Sequence, residues 1–173
     1  TPSKRTALVQ NLLKSPEHVR HLAQVFDVML MERRGDAKVP RAAWESFLHA
    51  SVSANKPYDQ LIREILSNDG ADPKTRPAAK FLLDRGLEPT TVTRDISRIF
   101  LGRNIQCAQC HDHPSVDDFK QEEFYSLQAF YNRAFLFPTP EAPTAVIAEK
   151  ATGEVSFVSV FDPKKVATVS YTH

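Results

Sequence analysis

Leu8, Val9, Leu12 and Leu13 recur at the 3.6-residue period across residues 3–14, with Ser3 placed as an N-cap, and predict a first amphipathic helix. Ser15, Pro16 and Glu17 form a second start signal. Val19, Leu22, Ala23, Phe26, Met29 and Leu30 then follow at helical spacing toward Gly35. Pro40 opens a third helix with Trp44, Phe47, Leu48, Ser51 and Val52 on one face. The segment "ANKPYDQ" turns the chain into a fourth, carrying Tyr58, Leu61, Ile62, Ile65 and Leu66.

Residues 67–77, "SNDGADPKTRP", are dense in turn formers and read as a loop before a short helix at Phe81, Leu82 and Leu83 that Gly86 ends. Pro89 starts a sixth helix through Val92, Ile96, Ile99 and Phe100 to Gly102. A last one, capped by Asp117 or Asp118, carries Phe124, Leu127, Phe130 and Tyr131. From "FPTPEAPTA" the pattern changes. Three prolines in six residues predict an extended connector, and "EVSFVSVF" and "VATVSY" around "DPKK" predict a β-hairpin or two edge strands. The expected fold is therefore mainly α, with residues 1–137 helical and residues 138–173 a Pro-rich connector and β appendage packed on or extending the same domain.

Composition narrows the function classes more than the fold. With 22 basic and 21 acidic residues the chain has no net field to mark a nucleic-acid partner, and no apolar run reaches the length of a membrane span. The segment "TPSKRTALVQ" lacks the regions of a secretory signal, which fits a cytosolic chain or a mature fragment. No Ser/His/Asp triad or phosphate-binding loop is present, and the pairs at 117–118 and 122–123 read as helix-start charges.

The chemistry concentrates in "RNIQCAQCHDHP", residues 103–114, which holds both cysteines of the chain. Cys107, Cys110 and His111 match C-x-x-C-H. Two thiols on about one helical turn can each add to a vinyl group of a porphyrin, and the adjacent imidazole is then directed at the iron. Zinc is the competing reading: Cys107, Cys110 and His113 would be joined by His111 or by a distant His18, His21 or His49, although no second Cys/His pair at zinc spacing exists. A redox dithiol is the third, weakened because the preceding segment reads as helix and not as the strand of a βαβ unit.

"IFLGRNIQCAQCHDHP" followed by "EEFYSLQAFYNRAF", with "DVMLMERRG" and "NKPYDQLIREIL" upstream and "ATGEVSFVSVFDP" downstream, resembles the planctomycete cytochrome-type domains of unknown function found in large secreted multidomain proteins. The resemblance implies an irregular, helical c-type cytochrome-like domain with one covalent haem c. It places Cys107 and Cys110 at the thioether positions and His111 as the proximal iron ligand. It also implies an extracytoplasmic location, a signal peptide upstream and a further domain downstream. The expected function is electron transfer to or from a redox partner protein or an adjacent domain of the same polypeptide. A haem enzyme or gas or peroxide sensor with an open sixth position, and a zinc-stabilised structural module, are the alternatives.

The ligand opposite His111 is then the main open choice. Met29 and Met31 are the only methionines; Met29 continues the apolar face of its helix while Met31 points elsewhere, which makes Met31 the better candidate, with His21 a third. His113 is too close in sequence to reach the other face and is expected to contact a haem propionate, Asp112 or solvent. Arg103 is the arginine expected to pair with a propionate.

Overall fold

A computed structural model describes residues 2–139, 145–151 and 153–170. It is mainly α-helical, as the periodicity predicts, and falls into two compact units, Thr1–Asp84 and Arg85–His173. That division lies well before the change from helix to strand near residue 137 that the sequence suggested as a boundary.

The first unit contains α1 (Pro2–Leu13), α2 (Pro16–Met31), α3 (Arg41–Ser53), α4 (Tyr58–Ser67), a 3-10 turn (Arg76–Ala79) and α5 (Lys80–Leu83). Ser15 caps α2 as expected, its hydroxyl accepting from the His18 N–H at 3.2 Å. The helix stops at Met31, before Gly35, because Glu32 and Arg33 adopt left-handed φ values of 50° and 60°. The core includes Leu30, Met31, Trp44, Leu48, Ile65 and Phe81. Leu8, Val9, Leu12 and Leu13 form the predicted face of α1, yet all four remain exposed.

Polar groups in this unit are paired where they are buried. The Trp44 indole N–H donates to Asp27 at 2.9 Å and Arg41 donates to the second oxygen at 3.1 Å, joining α2 to α3. The buried Lys80 ammonium donates to the Val39 carbonyl at 2.6 Å, to Asp36 at 3.0 Å and to Asp84, which uses all three of its protons. Asp84 in turn accepts from the Lys38 and Val39 N–H groups. The Lys80 hydrogen bond holds the Asp36 carboxyl below its ordinary range. At Gly70 the φ of +76° favours glycine, and a Cβ there would stand a tight 3.0 Å from the Leu83 side chain and 3.1 Å from that of Arg76.

The second unit contains α6 (Pro89–Phe100), a 3-10 turn (Gln106–Gln109), α7 (Gln121–Asn132) and four strands: β1 (Ala134–Pro138), β2 (Ala145–Glu149), β3 (Val155–Ser159) and β4 (Asp162–Val169). Glu88 starts α6 by accepting from the Thr90 and Thr91 N–H groups at 3.0 and 2.6 Å. Inside α6, Asp95 is buried and receives Arg85 at 2.8 Å and Arg94 at 3.1 Å. Burial alone would raise the Asp95 carboxyl, but hydrogen bonds and charge from Arg85 and Arg94 outweigh it and hold it low.

The strands form two antiparallel pairs, β1 with β2 and β3 with β4. The β3–β4 pair is the predicted hairpin, with Phe157 opposite Ala167 and an irregularity at Val158/Ser159, but "DPKK", expected between the strands, belongs to β4 and the chain reverses at Val160–Phe161. The β1–β2 pair was not expected: Phe135 faces Ala148 and Leu136 faces Ile147, flanking the proline-rich segment. Most of the predicted connector, including Pro140 and Pro143, lies outside the described residues.

Candidate functional site

Helix α6 delivers the chain to the cysteine motif through a tight reversal. Gly102 takes φ +65°, the Arg103 N–H donates to the Ser97 carbonyl at 2.9 Å, and the Ser97 hydroxyl donates to the Arg103 carbonyl at 2.6 Å. Ile105 and Ala108 then bury themselves against Phe124, with Phe119, Tyr125 and Leu127 around them. Anchoring those two apolar residues leaves the positions beside them facing outward, and Cys107 and Cys110 are both free and exposed. The turn closes with the Cys110 N–H donating to the Cys107 carbonyl at 3.2 Å and the His111 N–H to the same oxygen at 3.4 Å.

His111 has one ring nitrogen engaged and one available. Its Nδ1 lies 2.7 Å from the Asp112 backbone carbonyl. A carbonyl only accepts, so the proton sits on Nδ1 and Nε2 carries the lone pair, the tautomer a metal-ligating imidazole needs.

The acidic residue of the motif does a structural job. Asp112 Oδ1 accepts the Gln121 N–H at 2.8 Å, satisfying the first turn of α7 from nine residues upstream. The sequence assigned that role to Asp117 or Asp118; the helix instead begins at Gln121, because Lys120 as N-cap has no side-chain acceptor and Asp112 supplies one. Gln121 is itself 5% exposed, and its amide N–H₂ faces the carbonyls of Val158 at 3.0 Å, Cys110 at 3.2 Å and Gln109 at 3.3 Å. The Tyr125 hydroxyl donates to Gln109 at 2.9 Å; burial, then the nearby Cys110 thiol, raise its pKa. Tyr131, further along α7, is pushed up to about 12 by burial alone.

Arg103 and His113 both have partners within the protein. Arg103 donates to Glu123 at 2.9 Å and to the Asp118 carbonyl at 2.8 Å, with its guanidinium 5.0 Å from the Phe119 ring centre, so it ties the 112–120 loop to α7. The His113 Nδ1 accepts from the Ser115 N–H at 3.2 Å and its ring meets Phe119 edge-on. Neither contact was legible in the spacing, since both depend on how the loop folds back.

Residues near the carboxyl end complete the surroundings of the motif. The Val160 N–H donates to the Cys110 carbonyl at 3.4 Å, Phe161 lies 5.5 Å from the His111 ring, and Phe157 stacks on Tyr125 at 4.4 Å. A cavity of about 600 Å³ lies beside the motif, with Phe157, Phe161 and Ala167 as apolar lining and Asp112, Lys120, Glu122 and Asp162 as charged lining; Asp112 is the motif residue that reaches it. Its volume is in the range of cofactor sites.

The donor set around the motif fits a covalently held haem: two accessible thiols at the right spacing, and an imidazole whose Nε2 is uncommitted. It is not arranged as a preformed zinc site, since among the described residues no three His, Cys, Asp or Glu side chains converge. The three candidates for a second axial ligand all belong to α2 in the first unit. Met31 is 1% exposed and sits in the core, Met29 is half-buried and His21 is exposed. The expectation that Met31 points away from the apolar face is thus corrected: Leu30 and Met31 are buried together, so the buried arc at the end of α2 is wider than a single stripe.

The profile of a family described as "PSCyt2: Protein of unknown function (DUF1549)" matches residues 1–135. That span is more than half of the chain, and the chain belongs to this family. Comparison with curated proteins and with solved structures finds no match. No helix among the described residues is long and apolar enough to cross a membrane.

Proposed function

We propose that this member of the PSCyt2 family carries one haem c, joined through Cys107 and Cys110 with His111 as axial ligand, and transfers electrons to or from a redox partner. The partner is a separate protein or an adjacent domain of a longer polypeptide. The reading implies an extracytoplasmic location, where c-type haem is attached. The observation that carries it is the 2.7 Å contact between His111 Nδ1 and the Asp112 carbonyl, on a turn that exposes both thiols.

Bound haem would supply a one-electron iron couple. The chain's own contribution is positional. Ile105 and Ala108 lock the turn, Gln121 and Tyr125 bind its carbonyls, and the Asp112 carbonyl fixes the imidazole tautomer and ring orientation. The test is the absorption spectrum of His111→Ala expressed with the haem maturation machinery. Loss or displacement of the wild-type Soret band is expected; an unchanged band would remove His111 from the site.

One observation favours a second reading, a haem with an open sixth position that binds a small ligand. Within the second unit there is no methionine, and its only described histidine besides His111 is His113, whose Nδ1 is engaged. Carbon monoxide added to the reduced protein separates the readings. Rapid adduct formation supports the open position, and its absence supports a six-coordinate electron carrier.

A further inference from the structure

The family match ends at residue 135, yet the β3–β4 hairpin, outside it, is seated on the cysteine motif. The seat is specific. The buried Gln121 amide reaches Val158 on the hairpin and Cys110 in the motif, the Val160 N–H reaches the same Cys110 carbonyl, and Phe157 stacks on Tyr125 at an interplanar angle of 6°. The register shift at Val158/Ser159 falls just before the tip, where an irregularity re-aims the side chains that follow.

What the tip presents is Phe161, 80% exposed and tilted 54° against the His111 imidazole. A phenyl ring left that open, beside the His111 imidazole and at the edge of a cavity also lined by Phe157 and Ala167, is placed to be covered by an apolar ligand. The charged residues of the same cavity are Asp112, Glu122 and Asp162 with Lys120, so it is the Phe157 and Phe161 side that offers apolar surface.

We propose that the β3–β4 hairpin is a wall of the haem site and that Phe161 is a positioning residue for His111. This inference rests on the haem reading above. The hairpin holds the imidazole plane through Phe161 and contributes Phe157 and Phe161 as apolar surface for the porphyrin. The cofactor site therefore extends beyond the family-matched residues, and a domain cut at residue 135 would lack part of it.

The test uses the full chain with Phe161→Ala and Phe161→Tyr, both expected to fold because the side chain is exposed. In the haem-free protein, the His111 ring protons are read by NMR. An upfield ring-current shift is expected in wild type and in Phe161→Tyr and is lost in Phe161→Ala; shifts equal in all three overturn the contact. The Val160 amide is expected to exchange about two- to tenfold faster in Phe161→Ala, from loss of an aromatic pair.

In the haem-loaded protein, protection of residues 155–169 is expected to rise relative to the haem-free form, and the midpoint potential to fall in Phe161→Ala as the iron site becomes wetter. Covalent haem present, with hairpin exchange and potential both unchanged, overturns the wall while leaving the haem reading intact. Absence of covalent haem from wild type overturns the haem reading and this inference with it.

Discussion

Gln121→Leu isolates the contact that joins the cysteine turn to the hairpin. The side chain is 5% exposed and its two amide hydrogens are shared among the carbonyls of Val158, Cys110 and Gln109. Leucine keeps nearly the same volume and donates nothing. The Gln109 carbonyl retains the Tyr125 hydroxyl and the Cys110 carbonyl retains the Val160 N–H, so the loss is about two hydrogen bonds without full orphaning of every acceptor. That amounts to about 2–3 kcal/mol, or a fall in Tm of about 4–12 °C for a chain of this size. Thermal and urea unfolding measure it, and faster alkylation of Cys110 should accompany it as the turn loosens.

Gln121→Glu sharpens the test by sign. At neutral pH a carboxylate would face three carbonyl oxygens, so this variant should be less stable than Gln121→Leu. Its folded pKa is raised, and the penalty shrinks as pH falls through that raised value and the acid regains one O–H donor. A Gln121→Leu protein with wild-type Tm and unchanged thiol reactivity would refute the role given to this amide.

Two other outcomes follow from the buried charges. Asp95→Asn strips the buried Arg85 guanidinium of its carboxylate and should cost about 3–5 kcal/mol in chemical unfolding; a cost below about 1 kcal/mol would mean that Arg85 is satisfied without it. Asp95 and Glu88 both have lowered folded pKa values, Glu88 because hydrogen bonds from Thr91 and Thr90 outweigh its desolvation. Their contribution is complete above the unfolded carboxylate values and is lost as pH falls toward the folded ones, so stability should drop below about pH 5. Asp95→Asn should flatten that acid slope, and an unchanged slope would contradict the assignment.

The helical part of the fold was legible because its signals are local. Ser15 with Pro16 marks a start, and Trp44, Leu48 and Ser51 recur on one buried face. The thiol and imidazole positions were legible for the same reason, being three residues within five. Other parts of the site depend on contacts distant in sequence. Asp112 caps a helix nine residues later, and Gln121, next to Glu122 and Glu123, looks like a surface residue until the fold buries it. Phe161 lies in the two-residue turn before "DPKK", which the structure places in β4, and nothing in strand alternation indicates that the tip rests on His111. The β1–β2 pair was hidden by prolines that read as a connector, and the burial of Met31 by a helix end enclosed on two adjacent positions.

The central claim, covalent haem at Cys107 and Cys110, is tested most directly by intact mass spectrometry of the full chain after expression with the haem maturation machinery. The account predicts one added haem, retained after denaturation and lost when Cys107 and Cys110 are both replaced by alanine. An unmodified mass together with stoichiometric zinc in the native protein would contradict it.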